Sequence, residues 1–148
     1  LKYIKKKVKL TTKSKNIFNI LYETKKYKMK NKIEKLKAIS EPNRIRILMM
    51  LRQKPLCVCE ITAVLGLSTA TVSKHLSVLN QSGFVKDTKD GKWINYSLTP
   101  IGEDLFVDDL ISYLIKWFSN ENLIKRDFEI VKTIDREELI CSPNKCSL

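Results

Sequence analysis

From Met29 onward, apolar residues recur every three or four positions, except in one short interval where they alternate. That pattern predicts a mainly α fold carrying a β-hairpin. Ile33, Leu36 and Ile39 suit a first helix, ended near Ser40 by the approach to Pro42. Ser40 is placed to cap a second helix, with Pro42 in its first turn and Arg44–Leu51 as its body. Ile45, Leu48 and Met49 of that helix are expected to face the core. Pro55 interrupts the run, and a third helix follows over about Cys57–Leu65, stopped by Gly66. A fourth starts after Ser68 and runs to about Ser82, with Gly83 as terminator and Val72, Leu76 and Leu79 as its buried stripe.

The period then changes. Phe84–Asp87 and Trp93–Leu98 read as strands, and Asp90-Gly91 between them is a hairpin-turn signal. After Thr99-Pro100, residues Ile101–Phe118 read as a long amphipathic helix. Ser119–Leu148 is polar, mixed in charge and weakly patterned, and is expected to be a C-terminal tail.

Two short helices joined by a Gly-containing turn, then a hairpin, describe a helix-turn-helix followed by a wing. In such a unit the second helix enters the major groove and presents its N-terminal residues to base edges. Here those residues are Thr69, Ala70, Thr71, Ser73 and Lys74, mostly short donors and acceptors plus one cation. His75 follows them and is grouped with these DNA-binding residues, as a polar or structural member of the same helix. Lys89 and Lys92 flank the hairpin turn, suited to phosphate or minor-groove contact. Each feature alone fits a solvated helix face or an ordinary charged hairpin; their order points to double-stranded DNA as partner.

Charge sharpens this picture by its location. The chain has 148 residues and a net charge of +12, but residues 1–32 alone carry +11. Residues 33–98 carry +5 and residues 99–148 carry −4. Residues 1–28 are therefore expected to form a basic extension, either a phosphate-gripping arm or a disordered segment without specific partners. The chain opens on Leu1 and its first methionine is Met29, which makes Met29 a candidate start. An apolar cluster at Ile17, Phe18, Ile20 and Leu21 has room for a short helix. The expected organisation is thus 1–28 extension, 29–118 DNA-binding and dimerisation domain, 119–148 tail with two cysteines. No apolar run approaches the roughly 20 residues of a membrane-spanning helix, and no secretory signal is evident, so a cytoplasmic location is expected. An enzyme is disfavoured: no Gly-rich phosphate loop and no nucleophile pair are present. Glu103, Asp104, Asp108 and Asp109 read as one solvated acidic surface.

Leu67-Ser68-Thr69-Ala70-Thr71-Val72-Ser73-Lys74-His75-Leu76, with Gly83-Phe84-Val85 and Gly91-Lys92-Trp93-Ile94-Asn95-Tyr96-Ser97-Leu98, closely resembles the ArsR-type (ArsR/SmtB) winged-helix metalloregulators. Ser40-Glu41-Pro42-Asn43-Arg44-Ile45-Arg46-Ile47-Leu48 resembles the helix preceding their reading head. The resemblance covers roughly residues 30–118. It implies a homodimeric repressor on a twofold-symmetric operator, released by an inducer and needing no cofactor to bind DNA. It also implies a dimer interface built from the first helix and the Ile101–Phe118 helix. Ala70 and Thr71 depart from residues often seen there, so no operator sequence carries over.

Four cysteines fall as Cys57-Val58-Cys59 and as Cys141 with Cys146. In an intracellular setting, metal binding or redox sensing outweighs structural disulfides. Cys57 and Cys59 also suit small buried hydrophobes, but on one helix positions i and i+2 point roughly 200° apart. Two such thiolates reach one ion only if the helix start is unwound, and a disulfide between them alone is expected to be strained. Leu56-Cys57-Val58-Cys59-Glu60 resembles the family's arsenic- and cadmium/lead-responsive pattern, and soft thiolates select soft ions. Some relatives supply a third sulfur five residues after the first, where this chain has Thr62; others recruit an N-terminal arm, but residues 1–56 contain no cysteine. The resemblance therefore implies arsenite or antimonite held by Cys57, Cys59 and either Cys141 or Cys146. Cadmium or lead as inducer, and thiol-redox sensing, are the alternatives. A zinc site of His and carboxylates on the last helix is disfavoured, because Ile101–Phe118 holds no histidine.

Overall fold

The computed structural model describes residues 28–141. Helix α1 covers 28–38, followed by α2 (Pro42–Leu51), β1 (Leu56–Cys57), α3 (Val58–Leu65) and α4 (Thr69–Gln81). Strands β2 (Val85–Asp90) and β3 (Trp93–Leu98) form the hairpin, and α5 (Leu105–Phe118), α6 (Asn122–Thr133) and α7 (Arg136–Cys141) complete the chain. Residues from Lys35 onward form one compact unit, and the preceding turns of α1 group apart from it. Residues 1–27, with the expected basic arm and the cluster at Ile17–Leu21, lie outside the described residues, as does Cys146.

Helix α2 is the centre of the core, with Ile47, Leu48, Met49, Met50 and Leu51 all buried. Its cap is Glu41, whose carboxylate accepts the Arg44 N–H at 2.9 Å, and not Ser40. Ser40 instead donates its hydroxyl to the Leu36 carbonyl at 2.7 Å, closing the preceding turn. A carboxylate is the stronger acceptor for the positive end of a helix, so the cap moves one residue on.

Helices α3 and α4 pack through Ile61, Val64, Val72 and Leu76. Gly66 between them sits at φ +67°, a left-handed position that favours glycine, and donates its N–H to the Thr62 carbonyl at 2.9 Å. Ser68 caps α4 by accepting the Thr71 N–H at 3.2 Å. The expected stripe of Val72, Leu76 and Leu79 is fully buried.

The hairpin pairs from Val85↔Leu98 to Asp90↔Trp93, leaving Gly91 and Lys92 as its two-residue loop. Strand β2 therefore extends three residues past the expected Asp87. The two-residue β1, too short to leave a periodic signal, adds a third strand in the order β1-β3-β2, with Leu56↔Tyr96 and Cys57↔Asn95.

Helix α5 begins at Leu105, four residues after the expected start, and Ile101 is 93% exposed. The physical reason is Asp104, whose carboxylate accepts the Phe106 and Val107 N–H groups at 3.1 and 3.3 Å. Nor is the acidic stretch simply solvated. Asp104 pairs with Lys35 at 2.7 Å, Glu103 with Lys86 at 2.7 Å, and Asp108 accepts the Gly102 N–H at 2.9 Å.

The stretch read as a tail carries α6 and α7. Helix α6 buries Ile124, Asp127 and Val131 against α2 and α3. Its weak pattern has a cause: the middle residue of the buried stripe is a carboxylate. Asp127, 1% exposed, accepts both Arg46 Nε and Nη2 at 2.7 and 2.8 Å, a bidentate pair from α2.

Candidate nucleic-acid interface and thiol site

Burying Val72, Leu76 and Leu79 leaves the opposite face of α4 to solvent. Thr69, Ala70, Ser73, Lys74 and Ser77 are all exposed there. Ser77 extends the face by one turn and was not singled out in the sequence, although it lies four residues after Ser73. Thr71 is exposed but engaged: its hydroxyl lies 2.8 Å from that of Ser68, within the cap. His75 is half-buried and turns away from this face, its Nδ1 3.5 Å from Glu41 Oε2. Burial alone would raise the Glu41 carboxyl, but the Asn43 and Arg44 N–H groups and the charges of His75 and Arg44 hold it below its ordinary value. His75 thus ties α4 to the cap of α2.

Lys89 and Lys92 are exposed on the hairpin. Lys92 Nζ stands 5.2 Å from the Trp93 ring centroid, and Arg136 Cζ stands 5.7 Å from the same ring. Arg136 also donates to Asn95 Oδ1 at 3.1 Å and Asp90 Oδ2 at 3.3 Å. Sequence reasoning missed this residue because it lies 41 and 46 positions from its partners. No local pattern announces such a contact.

Cys57 is not helical. It is the last residue of β1 and the N-cap of α3, with φ −82° and ψ 169°. Only Cys59 lies within the helix, so the 200° separation expected of two helical positions does not apply to the pair. The two cysteines are joined in a disulfide with a Cα–Cα distance of 5.5 Å, inside the usual range for such bonds. Cys57 is buried and Cys59 half-buried. The Cys57 N–H donates to Glu60 Oε2 at 2.7 Å, and Glu60 is itself buried.

The pair opens on a cavity of about 780 Å³ between α3, the helix-turn-helix turn, the wing and α7, with Thr62, Leu67, Trp93 and Leu139 among its walls. The Thr62 hydroxyl is buried without a hydrogen-bond partner. Among the described residues no three His, Cys, Asp or Glu side chains are grouped to hold a metal ion. Cys141 is the last residue of α7, two positions after Leu139.

A family model for bacterial regulatory proteins of the arsR family matches residues 41–87. An uncharacterised HTH-type transcriptional regulator of Methanocaldococcus jannaschii is 36% identical over 84 residues, which cover 56% of this chain and 85% of that protein. The chain belongs to the ArsR family. Within that family, the arsenical resistance operon repressor of Escherichia coli is 36% identical over 69 residues, 46% of this chain and 59% of the relative. A Staphylococcus aureus cadmium resistance regulatory protein, a CadC homologue, is 41% identical over 63 residues, 42% of this chain and 52% of the relative. The chain thus spans between half and three fifths of these two relatives' lengths.

Among solved structures, reduced HlyU from Vibrio cholerae superposes with a TM-score of 0.55 at 27% identity, over 65% of this chain and 97% of that one. A homodimeric winged helix-turn-helix DNA-binding domain from Mycobacterium bovis gives 0.55 at 24% identity, over 67% and 87%. The ArsR-family chain therefore has the winged helix-turn-helix fold: α3 and α4 are the helix-turn-helix, β2 and β3 the wing. Among the described residues no helix is long and apolar enough to cross a membrane.

Proposed function

We propose that this ArsR-family chain is a homodimeric transcriptional repressor whose thiols sense soft, thiophilic inducers. Helix α4 reads operator DNA through Thr69, Ala70, Ser73 and Lys74, with Lys89 and Lys92 of the wing on the backbone. Thr71 supports that helix through its cap, and His75 braces it against Glu41. Dimerisation is supported by apolar surface left uncovered: Leu105 is 75% and Trp117 63% exposed on α5, and Ile33 and Leu36 are exposed on α1.

The inducer is trivalent arsenic or antimony, bound by the reduced thiolates of Cys57 and Cys59 with a third sulfur from Cys141 or Cys146. One observation carries this reading. Both sulfurs are brought together where β1 meets α3, and Cys57 is there the sheet partner of Asn95 in the wing. Any ligand that moves Cys57 acts on the reading head and the wing together. The arsenical and cadmium relatives support soft-ion sensing without separating the two, so cadmium or lead is the near alternative.

The Cys57–Cys59 bridge itself favours a second reading, a thiol-redox switch. A bridged pair offers no thiolate to a metalloid, so the two stimuli compete for the same sulfurs. Operator binding is measured on reduced protein with arsenite, antimonite, cadmium, lead or hydrogen peroxide. Release by arsenite or antimonite supports the first reading; release by peroxide alone replaces it with the second.

A further inference from the structure

Helix α7 touches the wing at one end and the thiol cavity at the other. Arg136, its first residue, meets the hairpin at three places: Asn95 Oδ1 at 3.1 Å, Asp90 Oδ2 at 3.3 Å, and the Trp93 ring at 5.7 Å. Asp90 and Trp93 are the last pair before the loop that carries Lys92, and Asn95 pairs with both Thr88 and Cys57. Asn95 Nδ2 also donates to Asp90 Oδ2 at 3.3 Å, so the two acceptors are linked before the guanidinium reaches them. An exposed ion pair alone contributes little. A planar fork that holds two linked acceptors and lies near an aromatic ring fixes orientation, which a flexible ammonium cannot do. One turn on, Leu139 lines the cavity shared by Cys57 and Cys59.

We propose that Arg136 is the wing-positioning residue for DNA binding, and that α7 carries the state of the thiol cavity to the wing. The second clause rests on the inducer reading above. Each thiol that bonds to As(OH)₃ releases one water, made from the thiol proton and a displaced hydroxide, with no change in oxidation state. With Cys141 as the third sulfur, this bonding draws the C-terminal end of α7 toward Cys57 and Cys59. Arg136, five residues earlier on the same short helix, then leaves Asp90 and Asn95, and the wing lysines lose their register on the backbone.

The test uses the full reduced chain and a labelled operator duplex, with the wing signal taken as the emission lost in a Trp93→Phe control. Arg136→Ala is expected to weaken operator binding about fivefold, the scale of a lost exposed fork, and to shift Trp93 emission without DNA. Arg136→Lys is expected not to rescue affinity, because positive charge is kept and the fork is lost. Arg136→Ala combined with Asn95→Ala is expected to be no worse than Arg136→Ala alone. Unchanged affinity and emission in Arg136→Ala, or full rescue by lysine, would overturn the positioning role. In the inducer arm, arsenite is expected to cause a smaller further loss in Arg136→Ala than in the parent; an equal loss overturns the coupling through α7. A parent that ignores arsenite while Arg136→Ala still binds weakly sinks the inducer reading and leaves the positioning role standing.

Discussion

On the exposed face of α4, the proposed function assigns different tasks to side chains of different chemistry. Lys74→Ala is expected to weaken operator binding at every sequence and to lower the salt slope by about one, since one phosphate contact is lost. Ser73→Ala is expected to alter operator preference with little change in slope, which a competition assay against mutated operators reads directly. Ser68→Ala removes the acceptor of the Thr71 N–H and is expected to cost about 1 kcal/mol of stability in a denaturant titration. This face was legible in the sequence because period 3.6 forces a choice: once Val72, Leu76 and Leu79 go inward, Thr69, Ala70, Ser73 and Lys74 go outward. The role of His75 was not legible, because its partner Glu41 lies on another helix.

Between elements, paired charges hold what apolar patterning leaves unspecified. Asp127→Ala would strand the Arg46 guanidinium, which is mostly buried and whose pKa is raised by its bond to Asp127. The expected loss is about 3 kcal/mol or more, read as a lower denaturation midpoint. The Lys35 ammonium lowers the pKa of Asp104, burial opposes it, and the Val107 and Phe106 N–H groups assist. A depressed folded-state pKa contributes stability above the ordinary aspartate range and loses it as pH falls through the lower, folded value. Lys35→Met is therefore expected to flatten the acid limb of the stability profile below about pH 4. Elements with continuous apolar stripes were legible, as α4 shows. Helix α6 was hidden by Asp127 within its stripe. Strand β1 was hidden by its length, and its absence from the sequence reading made Cys57 look helical.

At the scale of the molecule, the thiol pair, the reading helix and the wing share one small region. Cys57 caps the helix packed against α4 and pairs across the sheet with Asn95 of the wing. On the proposed function, a ligand on the pair acts on the reading helix through α3 and on the wing through β1, with α7 as a second route to the wing. The most direct test is arsenite titration of reduced protein bound to a fluorescent operator, comparing the parent with Cys57→Ser and Cys59→Ser. A serine hydroxyl is a hard donor and does not replace a thiolate on a soft ion. The expected result is unimpaired operator binding in all three proteins, with arsenite releasing DNA from the parent alone. Release from either serine variant at the parent's arsenite concentration would contradict the account.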